Sequence, residues 1–144
     1  MLIFSLLEFL GPGAPIAHGS VFTLSEDIAD YIAQAIYKCQ TEGIRTLVPA
    51  QGAVDDFDEH MAAFMPRTVF AGGCRSWYKA GTVDGPVTGV HPGSRLHFFD
   101  MLACFRGEDW EYTYDNARGN RFAYLGNGFS VRDLEGFRMA AQLK

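Results

Sequence analysis

The stretch FLGPGAPIAHGSVFTLSEDIADYI, residues 9–32, joins an apolar run to a patterned helix through a loop of Gly, Pro, His and Ser. The run is apolar at almost every position, and Gly11-Pro12-Gly13 ends it. A short apolar run bounded by turn residues is typical of a strand buried on both faces in a parallel sheet. We therefore expect a strand over Leu2–Leu10, with Glu8 as its one discordant residue.

The helix after the loop has the clearest pattern in the chain. Thr23 and Glu26 have the T-x-x-E spacing of a capping box. Gly43 suits the first position after a final helical turn. The sequence predicts a helix that begins near Thr23 and ends before Gly43. Its apolar residues recur at helical spacing: Ile28, Tyr31, Ile32, Ala35, Ile36 and Cys39.

The next elements follow from breaker residues. We expect a short extended piece over Ile44–Val48, and then a second helix that begins near Val54 and ends at Pro66. The second half is rich in Gly and aromatic residues, which predicts short strands and loops. The fold class is therefore α/β, as one unit over 1–144 with strand, helix and helix followed by short strands and loops.

Two pieces of the second half have a more specific expectation. A helical period is visible at Leu96, Phe99 and Leu102. Residues 110–115 (WEYTYD) and 121–129 (RFAYLGNGF) are predicted to pair as strands across a polar turn, although the GNG sequence is also compatible with a terminal loop.

Composition excludes several classes of partner. The chain has 12 basic and 17 acidic residues, a net charge of −5, and no basic stripe, which argues against binding to nucleic acid or an anionic membrane. No apolar run reaches the roughly 20 residues that a membrane-spanning helix needs. The start of the chain lacks the basic lead of a secretion signal. We expect a cytoplasmic protein whose cysteines, Cys39, Cys74 and Cys104, are buried free thiols.

The four histidines do not predict a metal site. The spacings of His18, His60, His91 and His97 match no zinc pattern. His60 lies beside the apolar stripe of the second predicted helix, so we interpret it as a half-buried, hydrogen-bonded histidine.

Two groups of reactive residues have ordinary explanations. Cys74, His97 and Asp100 contain the residue types of a nucleophilic set, but only the neighbouring Arg75 would activate the thiol. Four carboxylates fall in the predicted first turn of the second helix, where they interact favourably with its dipole and solvent. These are Asp55, Asp56, Asp58 and Glu59.

Two further motifs remain open. Residues 75–79 (RSWYK) are interpreted as a strand with Trp77 in the core and Lys79 outside. Residues 91–95 (HPGSR) form either a turn or a ligand-facing loop.

The loop at 11–20 has the best physical case for a ligand. A strand, a glycine-rich turn and a helix present free backbone N–H groups at the positive end of the helix dipole, which suits an anionic or electron-rich ligand. Two prolines and the lack of a Lys-Ser/Thr ending exclude a standard phosphate loop. From the residues alone, a ligand loop and a structural connection both stay open.

Several motifs in order then resemble one family. They are GPGAPIAHGS, DIADYIAQAIYKCQTEGI, VDDFDEHM, CRSWYK, DGPVTGVHPGS and NRFAYLGNGF. Together they cover almost the whole chain and resemble the C-terminal part of fungal flavin-containing monooxygenases of the Baeyer–Villiger type. Such enzymes use FAD and NADPH with oxygen to insert an oxygen atom next to a ketone carbonyl.

The resemblance implies a discontinuous, Rossmann-like FAD-binding domain in which Leu2–Leu10 is a strand returning to the sheet. It also implies that the following helix favours negative charge on the reduced flavin, and that CRSWYK and HPGSR lie near the active site. The implied cofactor-binding residues, close to the flavin ring, are Gly11, Pro12, Gly13, His18, Gly19 and Ser20.

The chain also departs from the family pattern. It has no G-x-G-x-x-G for FAD or NADPH, and no Phe-x-Gly segment leading to a His and a Trp. His91 stands where an aromatic residue is expected, and Gly13-Ala14 replaces Asn-Ser or Gly-Ser. We expect a segment without the dinucleotide-binding halves, from a truncated or split gene, that does not catalyse oxygenation alone.

Two other functions remain open. One is a small non-enzymatic binding or interaction domain, whose exposed sheet edge recruits a partner or a second copy. The other is an independent α+β pocket enzyme that uses His18 or His97 as a base.

Overall fold

A computed structural model describes residues 7–16 and 19–133. These residues form three complete α-helices and two strands, joined by loops and short 3₁₀ turns, and residues 131–133 are also helical. In chain order the elements are α1 (Val21–Glu42), β1 (Ile44–Pro49), α2 (Gln51–Phe64), α3 (Arg95–Leu102) and β2 (Trp110–Tyr114).

The first predicted helix is confirmed as α1, but its capping box is wrong. Helix α1 begins at Val21 after Ser20, so Thr23 lies inside the first turn, and no side chain caps the helix start. At the other end Gly43 adopts the left-handed conformation, with φ 64°, and its N–H donates to the carbonyl of Cys39. The predicted C-terminal glycine is therefore confirmed.

The second predicted helix is confirmed with an earlier start. Helix α2 begins at Gln51, and a 3₁₀ turn containing Pro66 follows its end. Because of this start, the carboxylates from Asp55 to Glu59 lie beyond the first turn, where the helix dipole is weaker. All four are exposed, as expected of a solvated helix face.

The two strands pair with each other and not as the sequence predicted. β1 and β2 run antiparallel, with Leu47 opposite Tyr112. Residues 121–129 form no strand and are exposed. The predicted hairpin is wrong because β2 takes β1 as its partner, and the chain after the turn at 116–120 continues into a 3₁₀ turn at Ala123–Leu125.

The expected N-terminal strand is only partly within the described residues. Residues 2–6 lie outside them, and residues 7–10 form no strand: Phe9 and Leu10 belong to a turn, in which Leu10 has φ 57°. The mixture of helix and strand agrees with an α/β fragment, and the sheet formed by the described residues is antiparallel. The parallel, Rossmann-like sheet stays a prediction.

Two apolar clusters hold the described residues together. The first packs α1 against α3 through Leu24, Ile28 and Phe98. The second joins the end of α2 to the loop before α3 through Met61, Met65 and Val90. The loop at 11–16 lies between these clusters, since Leu10 packs on the first and Gly13 faces Met61 of the second.

The expectation of buried thiols is wrong for two cysteines. Cys74 and Cys104 are exposed, because the first follows a loop glycine pair and the second lies just beyond α3. Cys39 is half-buried on α1, and burial raises the pKa of its thiol. None of the helices in the described part of the chain is long and apolar enough to cross a membrane.

Candidate functional site

The first half of the predicted ligand loop is firmly packed. Gly13, Ala14 and Pro15 are buried, and the Ala14 carbonyl accepts the backbone N–H of His91 at 3.3 Å. Gly13 has φ 85°, a left-handed conformation that favours glycine. The loop is thus fixed against the loop before α3, while Gly11 keeps partial exposure and Pro12 is exposed.

The second half of the loop meets the start of α3. Gly19 and Ser20 are exposed, and His18 lies outside the described residues. Arg95 donates from Nη2 to the Ser20 carbonyl at 2.6 Å, and its guanidinium lies 5.0 Å from the centre of the Phe99 ring. The φ of 68° at Gly19 favours glycine, and a Cβ atom there would also displace the end of the Arg95 side chain.

Arg95 therefore holds the N-terminus of α1, and sequence reasoning missed this role. The hydrogen bonds of α1 begin with Leu24, whose backbone N–H donates to the Ser20 carbonyl at 3.4 Å. The N–H groups that precede it, at the positive end of a 22-residue helix, and the Arg95 cation make this corner electropositive. No local pattern could reveal a contact between residues 75 positions apart.

A pair of histidines lies against the same loop. His91 is 2% exposed, and its Nε2 lies 3.3 Å from Nδ1 of His97, with the two rings stacked. Phe98 packs edge-on against His91 at a centroid distance of 5.2 Å. Nδ1 of His91 is buried with no hydrogen-bond partner among the described residues.

The environment keeps His91 neutral. Burial, and to a smaller extent positive charge on His97 and His60, lowers the pKa of His91 to about 4. At neutral pH the pair can share one proton through the Nε2 to Nδ1 contact, with one ring donating and the other accepting. His91 is therefore a poor proton acceptor near pH 7.

Gly93 allows the two imidazoles to approach the backbone. A Cβ atom at Gly93 would lie 2.7 Å from His91 Nε2 and 2.8 Å from His97 Nδ1, closer than any side chain tolerates. Within HPGSR, residues 92–93 form a bend and Arg95 begins α3, so the motif is a connection that contributes one histidine of the pair. Its ligand-facing interpretation stays a prediction.

A small cavity opens beside this pair. Its volume is about 140 Å³, enough for a few water molecules. His60 is exposed, contrary to the half-buried prediction, because its ring packs on the α2 surface against Phe64, at 4.7 Å. The cavity is lined by His60, Phe64, His91, Pro92, Gly93 and His97.

The RSWYK prediction is inverted. Residues Trp77–Lys79 form a 3₁₀ turn, in which Trp77 is 65% exposed and Lys79 only 2%. Lys79 Nζ donates to the carbonyls of Ala71, at 3.4 Å, Gly72, and Val83, at 3.0 Å. The buried ammonium thus ties together the loops that wall a cleft of about 490 Å³ beside α2.

The other candidate chemistry is not assembled. The hydrogen bonds of the described residues do not join Cys74 to His97 or Asp100, and His97 is engaged with His91. Within the described ranges no group of three or more His, Cys, Asp or Glu residues is arranged to hold a metal ion.

Comparison with known proteins identifies relatives of one kind. The chain is 37% identical over 134 residues to the FAD-binding monooxygenase stcW of Emericella nidulans, a match that covers 93% of this chain and 22% of the relative. It is 38% identical over 132 residues to the FAD-binding monooxygenase moxY of Dothistroma septosporum, covering 92% and 21%. The FAD-binding monooxygenase tazF of Aspergillus terreus is 41% identical over 122 residues, covering 83% and 21%.

These matches confirm the resemblance to FAD-binding monooxygenases. The chain spans about a fifth of the length of these relatives. No protein-family profile and no solved structure matches the chain. The chain is therefore similar to FAD-binding monooxygenases, and the names of these relatives specify neither NADPH nor Baeyer–Villiger chemistry.

Proposed function

We propose that this chain is the C-terminal segment of an FAD- and NADPH-dependent monooxygenase of the Baeyer–Villiger type, and that it forms one wall of the flavin site without being active alone. The observation that carries the proposal is the match of 37% to 41% identity, over 83% to 93% of the chain, to FAD-binding monooxygenases about four times as long. When bound, FAD would supply the oxygen activation and NADPH the reducing equivalents.

The residues proposed to face the flavin are Gly11, Pro12, Gly13, His18, Gly19 and Ser20. The described members of this set suit a cofactor wall because one side of the loop packs against the protein and the other side is exposed. Gly13 and Ala14 are held by α2 and His91, whereas Gly19 and Ser20 remain exposed. A preorganised loop does not need to be ordered when the cofactor binds.

The charge of this corner also fits the cofactor. A reduced flavin carries negative charge, which the N-terminus of α1 and the Arg95 guanidinium both stabilise. Arg95 acts as a positioning residue in this proposal, because it holds the Ser20 carbonyl and thereby sets where α1 begins.

The proposed substrate is a small organic ketone. His91 is neutral and buried, so we assign it a structural role beneath the loop and not proton transfer. The cytoplasmic location also stays a proposal.

The test is a chimera in which this chain replaces the matching segment of the Emericella nidulans relative. The expected result is a purified chimera with the flavin absorption band, NADPH-dependent oxygen uptake and conversion of cyclic ketones to lactones. The isolated chain should show none of these. A folded chimera without flavin, or an isolated chain that purifies with FAD, would overturn the proposal.

A second candidate is a non-enzymatic interaction domain, which the large exposed apolar side chains favour. In that case a partner would copurify with the chain, and the chimera would hold no flavin. Self-association through a sheet edge belongs to this alternative and stays a prediction.

A further inference from the structure

Residues 117–133, here called the exposed segment, are unlike the rest of the described chain. All 17 residues are exposed, although the segment is rich in large apolar side chains. These side chains are between 49% and 70% exposed, a pattern typical of a surface that another protein covers. They are Phe122, Tyr124, Leu125, Phe129 and Val131.

The exposed segment nevertheless has a defined local shape. Its backbone forms successive tight turns, with Ala123 N–H donating to the Asn120 carbonyl at 3.2 Å and Gly128 N–H to the Leu125 carbonyl at 3.2 Å. The hydrogen bonds found among its described residues join positions at most four apart. One turn, Ala123–Leu125, lies beside α1, but none of the five apolar side chains belongs to either core cluster.

The charge of the exposed segment also differs from that of the whole chain. It contains three arginines and one aspartate in a protein of net charge −5. None of the ion pairs between described residues involves Arg118, Arg121 or Arg132. A complementary surface would therefore be apolar at its centre and acidic at its rim.

The longer relatives indicate what covers this surface. The match to the Emericella nidulans protein takes 134 of the 144 residues, so it includes residues 11–134 wherever it begins. The exposed segment thus has a counterpart in a protein of which the match covers only 22%, so most of that protein lies outside the matched region. That remaining chain is the one candidate partner that the comparisons supply.

We propose that the exposed segment is the docking surface for the remaining, flavin-binding portion of the monooxygenase. Its five apolar side chains form the centre of the interface, and its arginines face carboxylates of the partner. This inference rests on the proposed function, because it takes the partner to be the rest of the same enzyme.

The test compares one set of substitutions in two settings. Phe122→Ser, Leu125→Ser and Phe129→Ser are introduced together into the isolated chain and into the chimera described above. The matched control keeps the surface apolar, with Phe122→Leu and Phe129→Leu. The readout is the half-life of the folded protein at a fixed elevated temperature, followed by circular dichroism.

In the chimera the serine variant should shorten the half-life at least about tenfold, because full burial of even one large apolar side chain changes an equilibrium by more than that factor. The leucine control should stay within about threefold. In the isolated chain both variants should match the parent, since these side chains pack on no core cluster there.

An unchanged half-life of the serine chimera would overturn the proposal. So would an isolated chain that sediments as a dimer and becomes monomeric in the serine variant, because the occupant would then be a second copy. If the chimera does not fold, serine substitutions at the matched positions of the full-length Emericella nidulans relative decide the question by the same readout.

Failure of the proposed function gives a different pattern. A chimera without flavin that still shows the tenfold loss would retain the docking surface and refute the flavin wall. A chimera that binds flavin but whose serine variant keeps the parent half-life would support the flavin wall and refute the docking surface.

Discussion

The region around α1 and α3 and the exposed segment are both built from apolar residues and turns, yet they make opposite use of them. Leu24 of α1 is 1% exposed and packs on Phe98 of α3, whereas Leu125 is 58% exposed. Hydrogen bonds to α1 span up to 79 residues, as from Trp110 to Tyr31, while those of the exposed segment join residues at most four positions apart. The same residue types therefore stabilise this chain only where its own helices cover them.

The largest expected effect separates the two leucines. Leu24→Ala removes a fully buried side chain between α1 and α3 and should lower the free energy of unfolding of the isolated chain by about 2–5 kcal/mol. Leu125→Ala should change it by less than about 0.5 kcal/mol. Urea denaturation measures the free energy of unfolding of both variants. Similar decreases in the two variants would show that the exposed segment is packed in solution.

Acid should lower the free energy of unfolding through His91, which lies in the packed region. The folded pKa of His91 is about 4 and the unfolded value is near 6.5, so the folded state binds its proton less readily. Stability should thus be unaffected above pH 6.5 and fall as pH decreases from 6.5 to 4, by at most roughly 3 kcal/mol from this group.

The check is denaturation at several pH values with His91→Gln, which should flatten the slope between pH 6.5 and 4. His60→Gln, at an exposed position, is the matched control and should keep most of it. Equal slopes in the parent and His91→Gln would contradict the assignment.

The third prediction concerns the loops that Lys79 ties together. Lys79→Met removes hydrogen bonds from a buried cation to three carbonyls, and should cost about 1.5–3 kcal/mol. Lys38→Met breaks only a partly exposed pair with Glu42 on α1, worth about 0.5 kcal/mol. Thermal unfolding distinguishes them, and the order would reverse if the Lys79 ammonium were solvated.

The smallest predicted effect compares two glycines with open space around the Cβ position. Gly43→Ala places a side chain at φ 64° and should destabilise by about 1 kcal/mol. Gly52→Ala lies in α2 and should stabilise by about 0.5–1 kcal/mol. Opposite signs in urea denaturation are the expected outcome, and a shared sign would exclude backbone strain as the cause at Gly43.

Sequence reasoning succeeded where local patterning decides the structure. The apolar spacing of α1 and the glycine at its end were readable because both act within a few residues. It failed at the helix start, since Arg95 and not the T-x-x-E spacing meets Ser20 there. It also failed for Trp77 and Lys79, because a 3₁₀ turn does not follow the two-residue alternation of a strand.

The candidate site divides in the same way. The glycine-rich loop was recognisable from its composition, and Gly13 adopts a positive φ that favours glycine. The histidine pair left one readable signal, since Gly93 lies between His91 and His97 in the sequence. The partner of β2 had no such signal, because β1 lies more than 60 residues earlier and only the folded chain brings them together.

The bond from Arg95 to the Ser20 carbonyl has a consequence for the order of events during protein synthesis. Helix α1 can coil as soon as it leaves the ribosome, but its first turn has no anchor until a residue 75 positions later emerges. At the usual elongation rates that delay is about 4–15 s. Throughout this interval the glycine-rich loop is a nascent chain without its final shape, open to chaperones and proteases.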